Sequence, residues 1–156
     1  MRGILFDQPH IVAQPTASLK SIALSKRYQT VGGNFFASVP EGHDAYLLKW
    51  ILHDWEDTAS IDILRACRRA MKPSGRLLVV EHIVGPPNRS PEGKFMDLTM
   101  MVGPGGRERT RDEFEDLFAR AGFRLTTVTP TSTPLSAIEG LVAEPVSVGA
   151  PTWATA

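Results

Sequence analysis

The sequence predicts an α/β fold built on a largely parallel sheet, and three observations carry that prediction. Short apolar runs alternate with amphipathic stretches, the pattern of strands interleaved with helices. Two of the runs, Tyr46-Leu47-Leu48 and Leu77-Leu78-Val79-Val80, are continuously apolar rather than alternating, as expected of central strands covered on both faces. The chain has 156 residues, 42% hydrophobic and 22% charged, which is the size and composition of one globular domain.

In chain order, the predicted strands are Gly3 to Phe6, Tyr28 to Gly32, Ala45 to Lys49, Arg76 to Val80, Phe123 to Thr129 and Ala137 to Ala143. Between the two continuously apolar runs, Ile61, Leu64, Cys67 and Met71 recur at helical spacing. Acids open that helix (Glu56, Asp57, Asp62) and bases close it (Arg65, Arg68, Arg69, Lys72), which complements its dipole. Pro73 and Gly75 stop it. The stretch Gly85 to Pro91 reads as a surface loop and leads into a short helix from about Phe95 to Met101. Thr110 and Glu113 form a capping-box pair, after which Phe114, Leu117, Phe118 and Ala121 make a buried face and Gly122 ends the helix. The segment 145–156 has little to bury and is expected to be a flexible tail, leaving 1–144 as the folded domain.

Charge and cysteine usage narrow the function. Seventeen Lys plus Arg balance seventeen Asp plus Glu, so there is no electrostatic drive toward nucleic acid or an anionic membrane. No apolar run approaches the roughly 18 residues that span a bilayer, and charge interrupts the N-terminal residues too early for a signal peptide. The single cysteine, Cys67, excludes an internal disulfide and reads as a buried thiol, which fits a reducing, cytoplasmic setting.

In an open parallel sheet, ligands bind beyond the carboxyl ends of the strands. Asp7, Asn34, Lys49, His53 and Glu81 all lie at or just beyond the ends of predicted strands and would converge on one crevice. Asp7 suits the acid that accepts from ribose hydroxyls, and it equally suits a turn acid ahead of Pro9. Such an acid is expected about 20 residues after a glycine-rich turn, yet only six residues precede it. Gly32-Gly33 and Gly103-Pro104-Gly105-Gly106 lack the strand-to-helix context of that turn and read as loops. His53, between a buried strand and a helix, is placed to act as a general base, with Glu81 or Glu108 as the carboxylate that fixes its tautomer. A lone His is also often structural. His10, His43 and His82 form no metal-ligand set with it, so no metal is expected.

Leu5-Phe6-Asp7, Gly33-Asn34-Phe35-Phe36, Leu48-Lys49-Trp50-Ile51-Leu52-His53-Asp54-Trp55, Val80-Glu81 and Gly105-Gly106-Arg107-Glu108-Arg109-Thr110 resemble, in order, the catalytic domain of the S-adenosylmethionine-dependent O-methyltransferases of the plant caffeate and bacterial hydroxyneurosporene type. The resemblance runs from Arg2 to about Ala143. It implies a Rossmann-like class I methyltransferase sheet whose last strand is antiparallel. It also implies methyl transfer from S-adenosyl-L-methionine to a hydroxyl of a small aromatic, polyketide-like or carotenoid-like acceptor. By the same resemblance His53 is the base, flanked by Glu81 and Glu108. Asp7, Asn34, Phe35, Lys49 and Trp55 contact the cofactor, and Asp54 and Met100 the acceptor. Asn34 stands where the family often has Asp, and Phe35, Trp55 and Met100 equally suit plain packing.

The sequence opens at what resembles the second strand, so the resemblance implies that the first strand and its glycine-rich loop are absent. The expected consequence is a gap beside the Tyr46 strand, where each buried unpaired backbone group costs about 1–3 kcal/mol, and weak cofactor binding by the chain alone. Three readings follow: a methyltransferase domain by descent, a non-catalytic remnant or split half that pairs with a chain supplying the N-terminal part or with its own copy, and a nicotinamide dehydrogenase. The last lacks its glycine fingerprint.

Overall fold

A computed structural model describes residues 2–13, 27–89 and 91–144; the tail 145–156 separated above lies outside the described residues. Strand β1 (Gly3–Asp7) is followed by a one-turn helix α1 (Pro9–Val12) and by β2 (Tyr28–Gly32). Next come β3 (Ala45–Lys49), a 3-10 turn at Leu52–Asp54, helix α2 (Asp57–Ala70) and β4 (Arg76–Glu81). Helices α3 (Pro91–Val102) and α4 (Arg111–Ala121) precede the closing strands β5 (Phe123–Pro130) and β6 (Ser136–Val142).

The six strands divide into two sheets. β1 and β2 pair in parallel, and the other four run in the order β3-β4-β6-β5. β3 and β4 are parallel, whereas β6 runs antiparallel to both its neighbours. The division falls between β1 and β3, where the resemblance implies a further strand. This corrects one expectation. β4 is central, but β3 lies at an edge, and Leu47 in the middle of its apolar run is 63% exposed. A continuous apolar run indicates burial on both faces only when strands flank it on both sides, and among the described residues β3 has β4 alone.

One face of the four-stranded sheet packs on α2 and α4. Leu77 and Val79 of β4, Ile138 of β6 and Phe123 of β5 meet Ile61, Leu64, Phe114, Leu117 and Phe118 in one buried cluster. Phe6 of β1 joins the second, smaller cluster with Val39, Cys67 and Ala70, alongside Tyr46 and Leu48 of β3, which ties the two sheets together. Cys67 is buried as expected, and burial pushes its thiol pKa up to about 12.

Local chemistry explains the helix ends. The Thr110 hydroxyl accepts from the Glu113 backbone N–H while the Glu113 carboxylate accepts from the Thr110 backbone N–H, and Gly122 closes α4 in the left-handed conformation at φ 86°. α3 begins earlier than the sequence suggests, because Pro91, read above as loop, sits at its first position. There the missing N–H would have been unpaired in any case.

Candidate active site

The site forms where the carboxyl ends of β3 and β4 meet the loop that enters α4. After β3 the chain leaves its strand through Trp50, whose φ of 55° is rare for a bulky side chain, and drops into the short turn that carries His53. His53 is buried, and its Nδ1 lies 2.8 Å from Glu108 Oε1, itself buried. Asp54 Oδ1 approaches His53 Nε2 at 3.5 Å, and the Trp50 ring lies 6.2 Å from the imidazole between centroids.

Glu81 ends β4 with no exposure, and its bonds run to the turn's backbone rather than to the imidazole. Oε1 accepts from the N–H groups of Leu52 at 2.7 Å, Ile51 at 3.1 Å and His53 at 3.4 Å. Its Oε2 is buried and has no hydrogen-bond partner among the described residues, as is Oε2 of Glu108. The backbone N–H of Glu108 donates to Asp97 Oδ1 of α3 at 2.9 Å.

The electrostatics follow from this packing. Burial alone would push the His53 pKa down, but the Glu108 hydrogen bond and the charges of Glu108, Glu81 and Asp54 outweigh it and hold the imidazole above its ordinary 6.5. Burial raises the Glu81 carboxyl, opposed by the Leu52 N–H, the His53 charge and the Ile51 N–H. With Nδ1–H donating to Glu108, the lone pair of the neutral ring lies on Nε2, the nitrogen positioned to take a proton.

Asp7 ends β1, where one carboxylate oxygen accepts from the Gln8 N–H at 2.6 Å. Asn34 Oδ1 accepts from the Phe36 N–H at 2.9 Å and fixes a turn after β2. Phe35, Phe36 and Trp55 pack edge to face, with Trp55 centroid distances of 6.1 Å to Phe35 and 4.8 Å to Phe36. Lys49 Nζ lies 5.7 Å above the Trp50 ring. Met100 is half-buried in α3.

Three participants escaped the sequence reading. Trp50 carries no signal of its left-handed backbone. Gly106 reads as loop and as part of a motif that carries the resemblance, with no role of its own, yet a Cβ there would collide with the His53 carbonyl and lie 2.6 Å from Trp55 N. Arg109 is the largest fully buried side chain of the described residues, in a position where a charged residue ordinarily reads as surface.

A family model described as an O-methyltransferase domain matches residues 1–124. The chain belongs to that O-methyltransferase family. Similar members include phenazine O-methyltransferase PhzM from Lysobacter antibioticus, 50% identical over 139 residues, a match covering 88% of this chain and 40% of that protein. Caffeic acid 3-O-methyltransferase from Zinnia elegans is 38% identical over 129 residues, covering 80% of this chain and 34% of the relative. Among solved structures, the crystal structure of LaPhzM superposes with a TM-score of 0.86 at 48% identity, over 90% of this chain and 42% of its own. An O-methyltransferase from neocarzinostatin biosynthesis, in complex with S-adenosyl-L-homocysteine and 1,4-dihydroxy-2-naphthoic acid, gives a TM-score of 0.81 at 33% identity, over 91% and 42%. The chain thus spans about two fifths of the length of these relatives. Among the described residues no helix is long and apolar enough to cross a membrane.

Proposed function

We propose that this chain carries the acid-base and adenosine-binding part of an S-adenosylmethionine-dependent O-methyltransferase acting on a hydroxyl of a small aromatic acceptor. The buried 2.8 Å contact between His53 Nδ1 and Glu108 Oε1 is the observation that carries the reading. It fixes Nε2 as the free base and supports the imidazolium that forms when the acceptor hydroxyl gives up its proton. Phenols have pKa values near 10, so a base held in contact with the hydroxyl promotes attack without a fully formed phenolate. The bound cofactor supplies an electrophilic methyl group on a sulfonium.

The chain's own residues suit the adenosine end of that molecule. Asp7 spends one carboxylate oxygen on its own turn, and the second is left for a ribose hydroxyl. Phe35 and Trp55 present ring faces and edges for the adenine, and Asn34 Oδ1 has a second lone pair for its amino group. Lys49, at the end of β3, is assigned to the same cofactor, and Asp54 and Met100 to the acceptor. The S-adenosyl-L-homocysteine and the naphthoic acid held by one solved relative support these assignments, as does the name of the phenazine relative.

The test is methylation of 1,4-dihydroxy-2-naphthoic acid by the chain at millimolar S-adenosylmethionine, followed by mass spectrometry. A product heavier by one CH2, lost in His53→Gln, supports the reading; product formation undiminished in His53→Gln overturns it.

The divided sheet favours a second reading, in which the chain works as an interaction module or as one half of an assembly. Among the described residues no strand pairs with the outer edges of β1 and β3, which would suit a strand from another chain, either a copy or one supplying the N-terminal part. A stable monomer in size exclusion with light scattering would count against self-pairing.

A further inference from the structure

The turn that carries His53 is only three residues long, and its internal backbone bonds are few: Asp54 N–H to Ile51 O at 3.3 Å and Trp55 N–H to Leu52 O at 3.1 Å. Something else must hold it. On its N–H side, Glu81 accepts from Leu52, Ile51 and His53. On its carbonyl side the partner is Arg109. Nη1 donates to Leu52 O at 3.0 Å, and Nη2 donates to Trp55 O at 2.8 Å and to Ser60 Oγ at 3.2 Å. Nε donates to Asp57 Oδ1 at 3.0 Å. The Ser60 hydroxyl lies within 3.2 Å of Leu52 O and 3.3 Å of Trp55 O, so it shares the same two carbonyls.

We propose that Arg109 is a positioning residue for proton transfer, its buried guanidinium locking the His53 turn in the orientation that brings the imidazole onto Glu108. The connection is short and mechanical. Glu108 and Arg109 are consecutive, so one segment grips the ring with one side chain and the turn's backbone with the next. That segment is itself fixed: Arg109 bridges to Ile83 just beyond β4, and its carbonyl accepts from Val84 N–H at 2.9 Å. Gly106 lets the segment lie against the turn, because any side chain there would meet the His53 carbonyl. A planar fork with five donors can serve two carbonyls, a hydroxyl and a carboxylate at once, whereas an ammonium cannot span them.

The inference rests on the reading of His53 as the general base, and its test separates the two. The probe is the His53 imidazole, followed by NMR titration in the full chain and assigned with His53→Gln. The ionisable groups facing it are Glu108, Glu81 and Asp54, and none is altered by the variant. Arg109→Lys keeps the positive charge, so any change in the imidazole reports geometry rather than Coulombic loss. The expected result is a His53 pKa lower by about half a unit or more, with loss of the Nδ1–H tautomer signature. Where turnover is measured, kcat should fall about 100-fold with the cofactor KM nearly unchanged. A His53 titration that stays put or moves up in folded Arg109→Lys overturns the proposal. Should that variant not fold, Ser60→Ala is the neutral substitute; it should shift the imidazole in the same direction by less, and an unmoved pKa overturns the proposal there. Absence of methyl transfer by the unmodified chain counts against the proposed function alone, since the titration needs no turnover.

Discussion

At His53, two opposing effects meet and the attractive one wins: burial disfavours the imidazolium, and three carboxylates favour it more strongly. A base must be neutral to accept a proton, so a raised pKa delays its activation. Methyl transfer should therefore climb with pH through an apparent value above the ordinary 6.5 of the imidazole. Glu108→Gln removes the hydrogen-bonded charge, so that limb should move to lower pH while kcat falls about 100-fold; a pH-rate profile in which neither moves would contradict the assignment. Linkage gives a second readout with a definite sign. The folded pKa is raised, so the pair's contribution to stability is complete below the unfolded value and is lost as pH rises through the folded one. The Tm gap between the chain and His53→Gln should accordingly be widest near about pH 6 and close at higher pH. His53 and Glu81 were legible because residue type and place after a strand are local signals, whereas Glu108, which follows a helix, had only its residue type and the family resemblance to mark it. Glu81 bonding to backbone rather than ring was not, because a sequence shows which side chain follows a strand and not which atoms it will meet. Arg109 was hidden for the opposite reason, since its burial depends on acceptors supplied by residues 52, 55, 57 and 60, some fifty positions away.

Among the elements, α4 was the most readable because everything that defines it lies within a dozen residues. The reciprocal bonds of Thr110 and Glu113 satisfy two otherwise orphaned N–H groups. Thr110→Ala should cost about 1 kcal/mol in chemical denaturation and leave the His53 titration unchanged; a loss below a few tenths would show that α4 is held by packing alone. Packing is where the larger energy lies. Phe118 is fully buried between Phe114 and Phe123, at ring-centroid distances of 6.4 Å and 6.2 Å, and it also packs against Gly140 of β6. Phe118→Ala should therefore cost about 3–5 kcal/mol, enough to unfold a marginal domain. β3 was misjudged for a reason specific to sheets. Its apolar run was read correctly as a strand, but whether a strand is central depends on a neighbour distant in sequence, and no local pattern encodes that neighbour.

Across the whole molecule, the division of the sheet sets a gradient of stability. β4 is bonded on both sides, by β3 and β6, and its Leu77 and Val79 anchor the main core. Among the described residues β1 and β2 pair only with each other, and a two-stranded sheet is marginal unless packed against something larger. Among the described residues, Phe6 of β1 contributes to that packing by reaching the smaller cluster. Local opening follows the number of bonds and contacts that must break together, so amide exchange should be fast in β1 and β2, intermediate in β3, and slowest in β4 and β6. The same gradient bears on ligand binding, because Asp7 and Asn34 sit on the weak side of the division while His53, Glu81 and Glu108 sit on the strong side. A cofactor spanning both would have to order the β1–β2 pair as it binds, so calorimetry on this chain should give an affinity weaker than micromolar, with amide protection in β1 and β2 rising at high S-adenosylmethionine. Micromolar binding, or exchange in β1 and β2 as slow as in β4 before any ligand is added, would mean that the two sheets already behave as one rigid body and that the gap between β1 and β3 carries no energetic penalty.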